Sequence, residues 1–165
     1  MEEVIKTQQL TKYYSKTKET GPALAGVDLT VKPGELYGLV GPDGAGKTTL
    51  LRILATVLEP TSGSAHLAEL DISKQPEKIR ARLGYMPQSF SLYPDLNVLE
   101  NLRFFADING VPRERQNTRI DELLDFARLT DFTKRRSKNL SGGMRKKLAL
   151  ACALVHEPEI LLLDE

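Results

Sequence analysis

The chain has 165 residues, 41% of them apolar and 27% charged, with a formal net charge of +1; these values suit one soluble domain with a real core and leave no surplus of positive charge for a generic polyanion binder. A single cysteine, Cys152, excludes an internal disulfide framework and suits a reducing cytosol. The acidic start, Met1-Glu2-Glu3, lacks the basic-then-apolar order of a signal peptide, and the longest uncharged apolar run, residues 148–155, is far short of the ~20 residues of a spanning helix, so any membrane role is expected to be peripheral.

No internal repeat or low-complexity tract interrupts the chain. Val27, Leu29 and Val31 alternate with Asp28 and Thr30 in a first β-rich stretch that Pro33-Gly34 ends. Residues 35–40 (ELYGLV) form a short apolar run before a glycine-rich turn and predict a buried strand. Leu50, Leu51, Ile53, Leu54 and Leu58 have helical spacing over residues 47–58, and Pro60 closes that unit. Residues 63–70 predict a strand, 75–83 a short helix and 83–86 a strand stub. Asn97 followed by Glu100 is a capping-box variant ahead of Leu102, Phe104, Phe105 and Ile108, and Gly110 with Pro112 stops that helix. A second helix spans residues 113–129 on Ile120, Leu123, Leu124, Phe126 and Leu129. Ser141-Gly142-Gly143 opens a third, with Met144, Leu148, Cys152 and Val155 on one face and Pro158 after it; residues 160–163 are wholly apolar and lead to Asp164-Glu165. The alternation of strands and helices is an α/β pattern.

Residues 41–48, Gly41-Pro42-Asp43-Gly44-Ala45-Gly46-Lys47-Thr48, match G-x-x-x-x-G-K-[ST] between a predicted strand and a predicted helix. Glycines let the backbone turn tightly and aim successive N–H groups into a concavity, to which the helix N-terminus adds its positive dipole end. Lys47 supplies a mobile charge for the β- and γ-phosphates, and Thr48 a hydroxyl for Mg²⁺, which prefers oxygen ligands. This motif predicts nucleotide binding without choosing between ATPase, GTPase and kinase. No N-K-x-D base-reading sequence accompanies it, which disfavours a GTPase. Further on, Ser141 can cap its helix while the N–H groups of Gly142 and Gly143 stay unpaired, a second anion-binding feature.

With these motifs in order, the chain resembles the ATP-binding subunits of ABC transporters from Leu10 to Glu165: GPDGAGKTT, GYMPQSFSLYPDLNVLENL and NLSGGMRKKLALACALVHEPEILLLDE follow one another as in that family. Asp43, where Asn is more usual, is similar to the YbhF-like export ATPases. An acid beside phosphates is unfavourable, so Asp43 is expected to hydrogen-bond within the loop. The resemblance implies an α/β P-loop NTPase fold with a mixed sheet core, an N-terminal antiparallel β part and a helical signature subdomain at about 89–155. It implies one ATP-binding domain over 1–165, incomplete at the C-terminus, with the last strands missing.

The resemblance also assigns roles. Gly41, Pro42, Asp43, Gly44, Ala45, Gly46, Lys47, Thr48 and Thr49 would bind ATP, with Tyr14 stacking on adenine and Tyr13 the competing assignment. Gln88 would reach Mg²⁺ and the attacking water, and Asp164 would hold Mg²⁺ with Thr48. Glu165 would orient and polarise that water. Leu140, Ser141, Gly142 and Gly143 would contact ATP held by a second ATP-binding subunit. The implied partners are that subunit and a transmembrane permease facing residues 88–102, with no nucleic acid, at the cytoplasmic face of the plasma (inner) membrane. Because a strand that follows the acidic one in this fold class inserts beside the phosphate-loop strand, residues 1–165 alone are expected to be marginally stable and to hydrolyse little ATP. Two other readings stay open: a soluble ABC-type ATPase acting on ribosomes or DNA, and a non-catalytic truncated nucleotide-binding remnant.

Several residues are set aside. Arg145-Lys146-Lys147 and Arg135-Arg136-Ser137-Lys138 are expected on solvated faces. Cys152 is expected to be an inert core thiol. His66 falls in a strand, and His156 near a helix C-terminus, where a partly charged imidazole suits the dipole.

Overall fold

The computed structural model describes residues 3–14, 21–89 and 92–164. The described residues divide into two compact units, those up to Ala81 together with Asp164, and those from Arg82 to Leu163.

The first unit is built on a four-stranded antiparallel sheet. Strands β1 (Ile5–Lys12), β2 (Leu24–Val31), β3 (Ser62–Leu67) and β4 (Leu70–Asp71) lie in the order β2-β1-β3-β4. Alternation buries one face of the inner strand β1, where Ile5, Thr7 and Leu10 are covered. β1 carries a bulge after Thr7, where Gln9 has φ 49 and donates its N–H and its Nε2 to the two oxygens of Asp28. Helix α1 (Lys47–Leu54) buries Thr49, Leu50, Leu51, Ile53 and Leu54. It stops four residues short of the predicted end because Thr56 takes φ 57, which no helix can absorb. The run at 63–70 is a hairpin instead of one strand, since Ala68 and Glu69 both have positive φ, the geometry of a tight primed turn between β3 and β4. Helix α2 (Pro76–Arg80) begins on Pro76, whose fixed φ suits a first turn, and is shorter than the predicted 75–83.

Residues 35–40 overturn their prediction. They form no strand, and Leu36 and Val40 are essentially fully exposed. An apolar run becomes a buried strand only where a neighbouring backbone takes up its N–H and C=O groups. Among the described residues no strand pairs with it.

The second unit joins a parallel pair, β5 (Leu83–Met86) and β6 (Ile160–Leu163), to three helices: α3 (Val98–Ile108), α4 (Arg113–Ala127) and α5 (Gly142–Leu154). Both halves of the Asn97/Glu100 capping box form, at 2.8 Å each. Arg128 caps α4 in the left-handed region, so the helix stops at Ala127, two residues before the predicted end at Leu129. Val98, Leu102, Ile120, Leu124, Leu148 and Val155 share one core with Cys152, whose thiol burial pushes well above its ordinary pKa. Gly84 allows α5 to approach β5, because a Cβ there would lie 2.6 Å from the Ala153 carbonyl oxygen.

Candidate functional site

The phosphate loop follows residues 35–40 and turns directly into α1. Gly46 caps that helix at φ 92; a Cβ would overlap the Ala23 carbonyl oxygen and stand 2.8 Å from Leu24 Cδ2. Glycine is therefore the residue that lets the loop pass this close to the start of β2. Residues 41–45 are exposed, and no acidic side chain occupies the first turn of α1, so its dipole end is available to an anion. Lys47 Nζ donates to the carbonyl oxygens of Gly41 (2.6 Å) and Pro42 (2.9 Å), which holds the ammonium over the loop's own backbone. Asp43 is exposed and makes no hydrogen bond within the loop, contrary to expectation. A carboxylate fully open to water gains little from exchanging hydration for a backbone N–H.

Thr48 Oγ1 donates to Asp164 Oδ1 at 2.9 Å, across 116 positions of sequence. Asp164 is only 4% exposed, and its Oδ2 is buried with no hydrogen-bond partner. A buried carboxylate oxygen left unpaired is costly, and a hard divalent cation is what its lone pairs and the adjacent hydroxyl suit. Among the described residues no three His, Cys, Asp or Glu side chains converge as a ready metal cage. Mg²⁺ needs none, because phosphate and water oxygens complete its octahedron.

Tyr14 and Tyr13 both have partners among the described residues. The Tyr14 hydroxyl lies 3.2 Å from Thr49 Oγ1, and Lys12 Nζ stands 5.8 Å from the Tyr14 ring centroid. Tyr13 instead donates its backbone N–H to Thr61 Oγ1. The Tyr14 hydroxyl thus meets the phosphate-loop helix at its second threonine.

In the second unit, Ser141 caps α5 by accepting from Met144 N at 3.3 Å. Gly142 and Gly143 are exposed in the first turn, where helix geometry leaves N–H groups without intrahelical partners. Leu140 is buried beneath them, and its carbonyl oxygen accepts from Arg145. Gln88 is exposed on the loop after β5. Glu165 lies outside the described residues, as do residues 90 and 91 of the expected permease-facing segment.

Lys146 and Lys147 are exposed as expected, and Arg135 covers the Phe132 ring at 4.8 Å. The expectation for His156 is corrected. Its Nε2 donates to the Leu83 carbonyl oxygen at 3.1 Å while burial lowers its pKa, which disfavours the charged ring that the dipole would suit. Sequence reasoning missed Asn101, which fixes the loop after Gln88. It is fully buried, and its side chain bonds Tyr93, Leu96 and Asn97 backbone groups. The available signal was an amide on the apolar face of a helix, four residues after its cap.

The sequence model for ABC transporters matches residues 24–165. The "Probable multidrug ABC transporter ATP-binding protein YbhF" of Escherichia coli (strain K12) is 53% identical over 144 residues, which are 87% of this chain and 25% of that protein. The "Nod factor export ATP-binding protein I" of Cupriavidus metallidurans is 42% identical over 139 residues, 84% of this chain and 46% of that one. A solved ATP-binding cassette, a dimer in a post-hydrolysis state bound to ADP and Pi, superimposes with a TM-score of 0.88 at 32% identity, covering 98% of this chain and 73% of that one. The chain spans a quarter to a half of the length of these two curated relatives. On the phosphate loop, its acidic partner and this match across most of its length, the chain belongs to the ABC transporter family.

Proposed function

We propose that the chain is the ATP-binding and ATP-hydrolysing part of an ABC transporter, of the export type, working as one ATP-binding domain. The observation that carries this reading is the Thr48–Asp164 hydrogen bond, which joins the phosphate loop to the acid at the end of β6. The direction of transport rests on relatives named for multidrug transport and Nod factor export.

In this reading the triphosphate lies along residues 41–46 and the first turn of α1. Its charge draws Lys47 from the Gly41 and Pro42 carbonyls, because an ammonium gains more from an anion than from two neutral oxygens. Thr48 and Asp164 would hold Mg²⁺, which when bound would supply neutralisation of the phosphate charge. Tyr14 receives the adenine on its ring. Gln88 and Glu165 orient water for in-line attack, with Glu165 accepting its proton. Leu140, Ser141, Gly142 and Gly143 meet the γ-phosphate of ATP on a second subunit, so that ATP draws the dimer shut and hydrolysis releases it.

No helix among the described residues is long and apolar enough to cross a membrane; in this reading a transmembrane permease supplies the pathway. Gln88 and the half-exposed Tyr93, packed on Phe104 at 4.5 Å, are the surface offered to it from the cytoplasmic side. In the full-length subunit, Glu165→Gln is expected to retain ATP binding, stall hydrolysis and accumulate closed dimer on size-exclusion chromatography. Turnover at the parental rate refutes the assignment of that carboxylate.

A further inference from the structure

We infer that Thr49 is a positioning residue for base recognition: its hydroxyl tethers the Tyr14 ring to the phosphate-loop helix, so base stacking and phosphate binding are coupled through one hydrogen bond. This rests on the nucleotide-binding reading above and adds a determinant to it.

Tyr14 is 63% exposed, so core packing does not set its rotamer. An exposed ring samples several orientations, and each must be given up when a base stacks on it. Here three contacts restrict it. Its hydroxyl meets Thr49 Oγ1 at 3.2 Å, at the end of the ring farthest from the backbone, where a tether limits swing most. Lys12 Nζ lies 5.8 Å from the ring centroid and is itself anchored on the Glu59 carbonyl oxygen at 2.7 Å. The preceding residue is fixed by the Tyr13 N–H to Thr61 Oγ1 bond at 3.0 Å.

Thr49 is suited to act as the fixed end. It is 8% exposed and follows Lys47 and Thr48 in the first turn of α1. Its β-branch restricts χ1, so the hydroxyl has few alternative directions. One helical turn therefore carries the phosphate lysine, the hydroxyl bonded to Asp164 and the ring tether in consecutive residues. A ring held in this way meets the base already ordered, and the gain appears only in ligands that have a base.

The test compares Mg-ATP with Mg-tripolyphosphate, which has the phosphates and no base, by equilibrium dialysis on the chain. The quantity read is the ratio of the two dissociation constants, the advantage conferred by the base. Thr49→Val, Tyr14→Phe and the double variant should each reduce that ratio by the same factor, about threefold, since all remove one neutral hydrogen bond. Thr49→Ser should retain the parental ratio. The inference is overturned if the two reductions multiply in the double variant, or if Thr49→Val weakens both ligands equally. If Thr49→Val does not fold, Tyr14→Phe decides alone, and an unchanged ratio overturns the tether. A parent chain that circular dichroism shows to be folded and that binds neither ligand instead refutes the nucleotide reading on which the inference stands.

Discussion

Replacing Asn101 tests how the loop after Gln88 is held. Asn101 is 0% exposed; its Oδ1 accepts from Tyr93 N at 2.9 Å, and its Nδ2 donates to the carbonyl oxygens of Tyr93 (3.2 Å), Leu96 (3.1 Å) and Asn97 (2.9 Å). In Asn101→Leu, these three carbonyls keep other donors: Ser137 Oγ on Tyr93, Ser137 N on Leu96 and the residue-101 N–H on Asn97. The Tyr93 N–H does not. Stranding it costs about 1–3 kcal/mol, and losing the shared amide bonds roughly 1 kcal/mol more, for a total of about 2–4 kcal/mol. At roughly 2–4 °C per kcal/mol for a chain of this size, the melting temperature should fall by about 5–15 °C. Asn101→Asp should be at least as damaging, because one carboxylate oxygen then faces carbonyl oxygens with no proton to share. Thermal unfolding followed by circular dichroism reads both variants. A fall under about 2 °C in both refutes the reasoning, because it means that the network contributes nothing net.

Leu36 and Val40 are essentially fully exposed, so Leu36→Lys with Val40→Lys should slow aggregation with little change in unfolding temperature; light scattering during incubation checks this. Asp43 is an exposed carboxylate in the phosphate loop. At roughly 8 Å in water each like-charge pair costs about 0.5 kcal/mol, so Asp43→Asn should tighten Mg-ATP binding about two- to fivefold, less at high salt, as dialysis at two ionic strengths would show. Burial lowers the pKa of His156 below its ordinary 6.5, so the unfolded chain takes up the proton first as pH falls. Stability is then full above about pH 6.5 and declines below it towards the folded-state pKa. His156→Gln should flatten that decline in urea titrations between about pH 5 and 7.

Local chemistry made much of the fold legible. The Asn97/Glu100 box and the Ser141 cap are decided within a few residues, and both form as read. Phosphate-loop geometry follows from glycines whose positive φ the sequence can announce. What escaped depends on distant partners. Residues 35–40 have a strand's composition, but a strand also needs a neighbour's edge, which composition does not report. The hairpin at Ala68-Glu69 was hidden because neither residue is a usual left-handed former. His156 read as a helix-terminal cation until the Leu83 carbonyl oxygen, 73 positions away, and its burial were known. The contact between Tyr14 and Thr49, 35 residues apart, is likewise not visible in the sequence.

The central claim is that residues 41–48 with Asp164 bind the phosphates of Mg-ATP. Equilibrium dialysis of Mg-ATP against the parent chain and Lys47→Ala tests it most directly, with circular dichroism confirming that both are folded. The account predicts saturable binding by the parent that the substitution abolishes, since Lys47 is the cationic side chain of the loop. An affinity left unchanged by Lys47→Ala contradicts it.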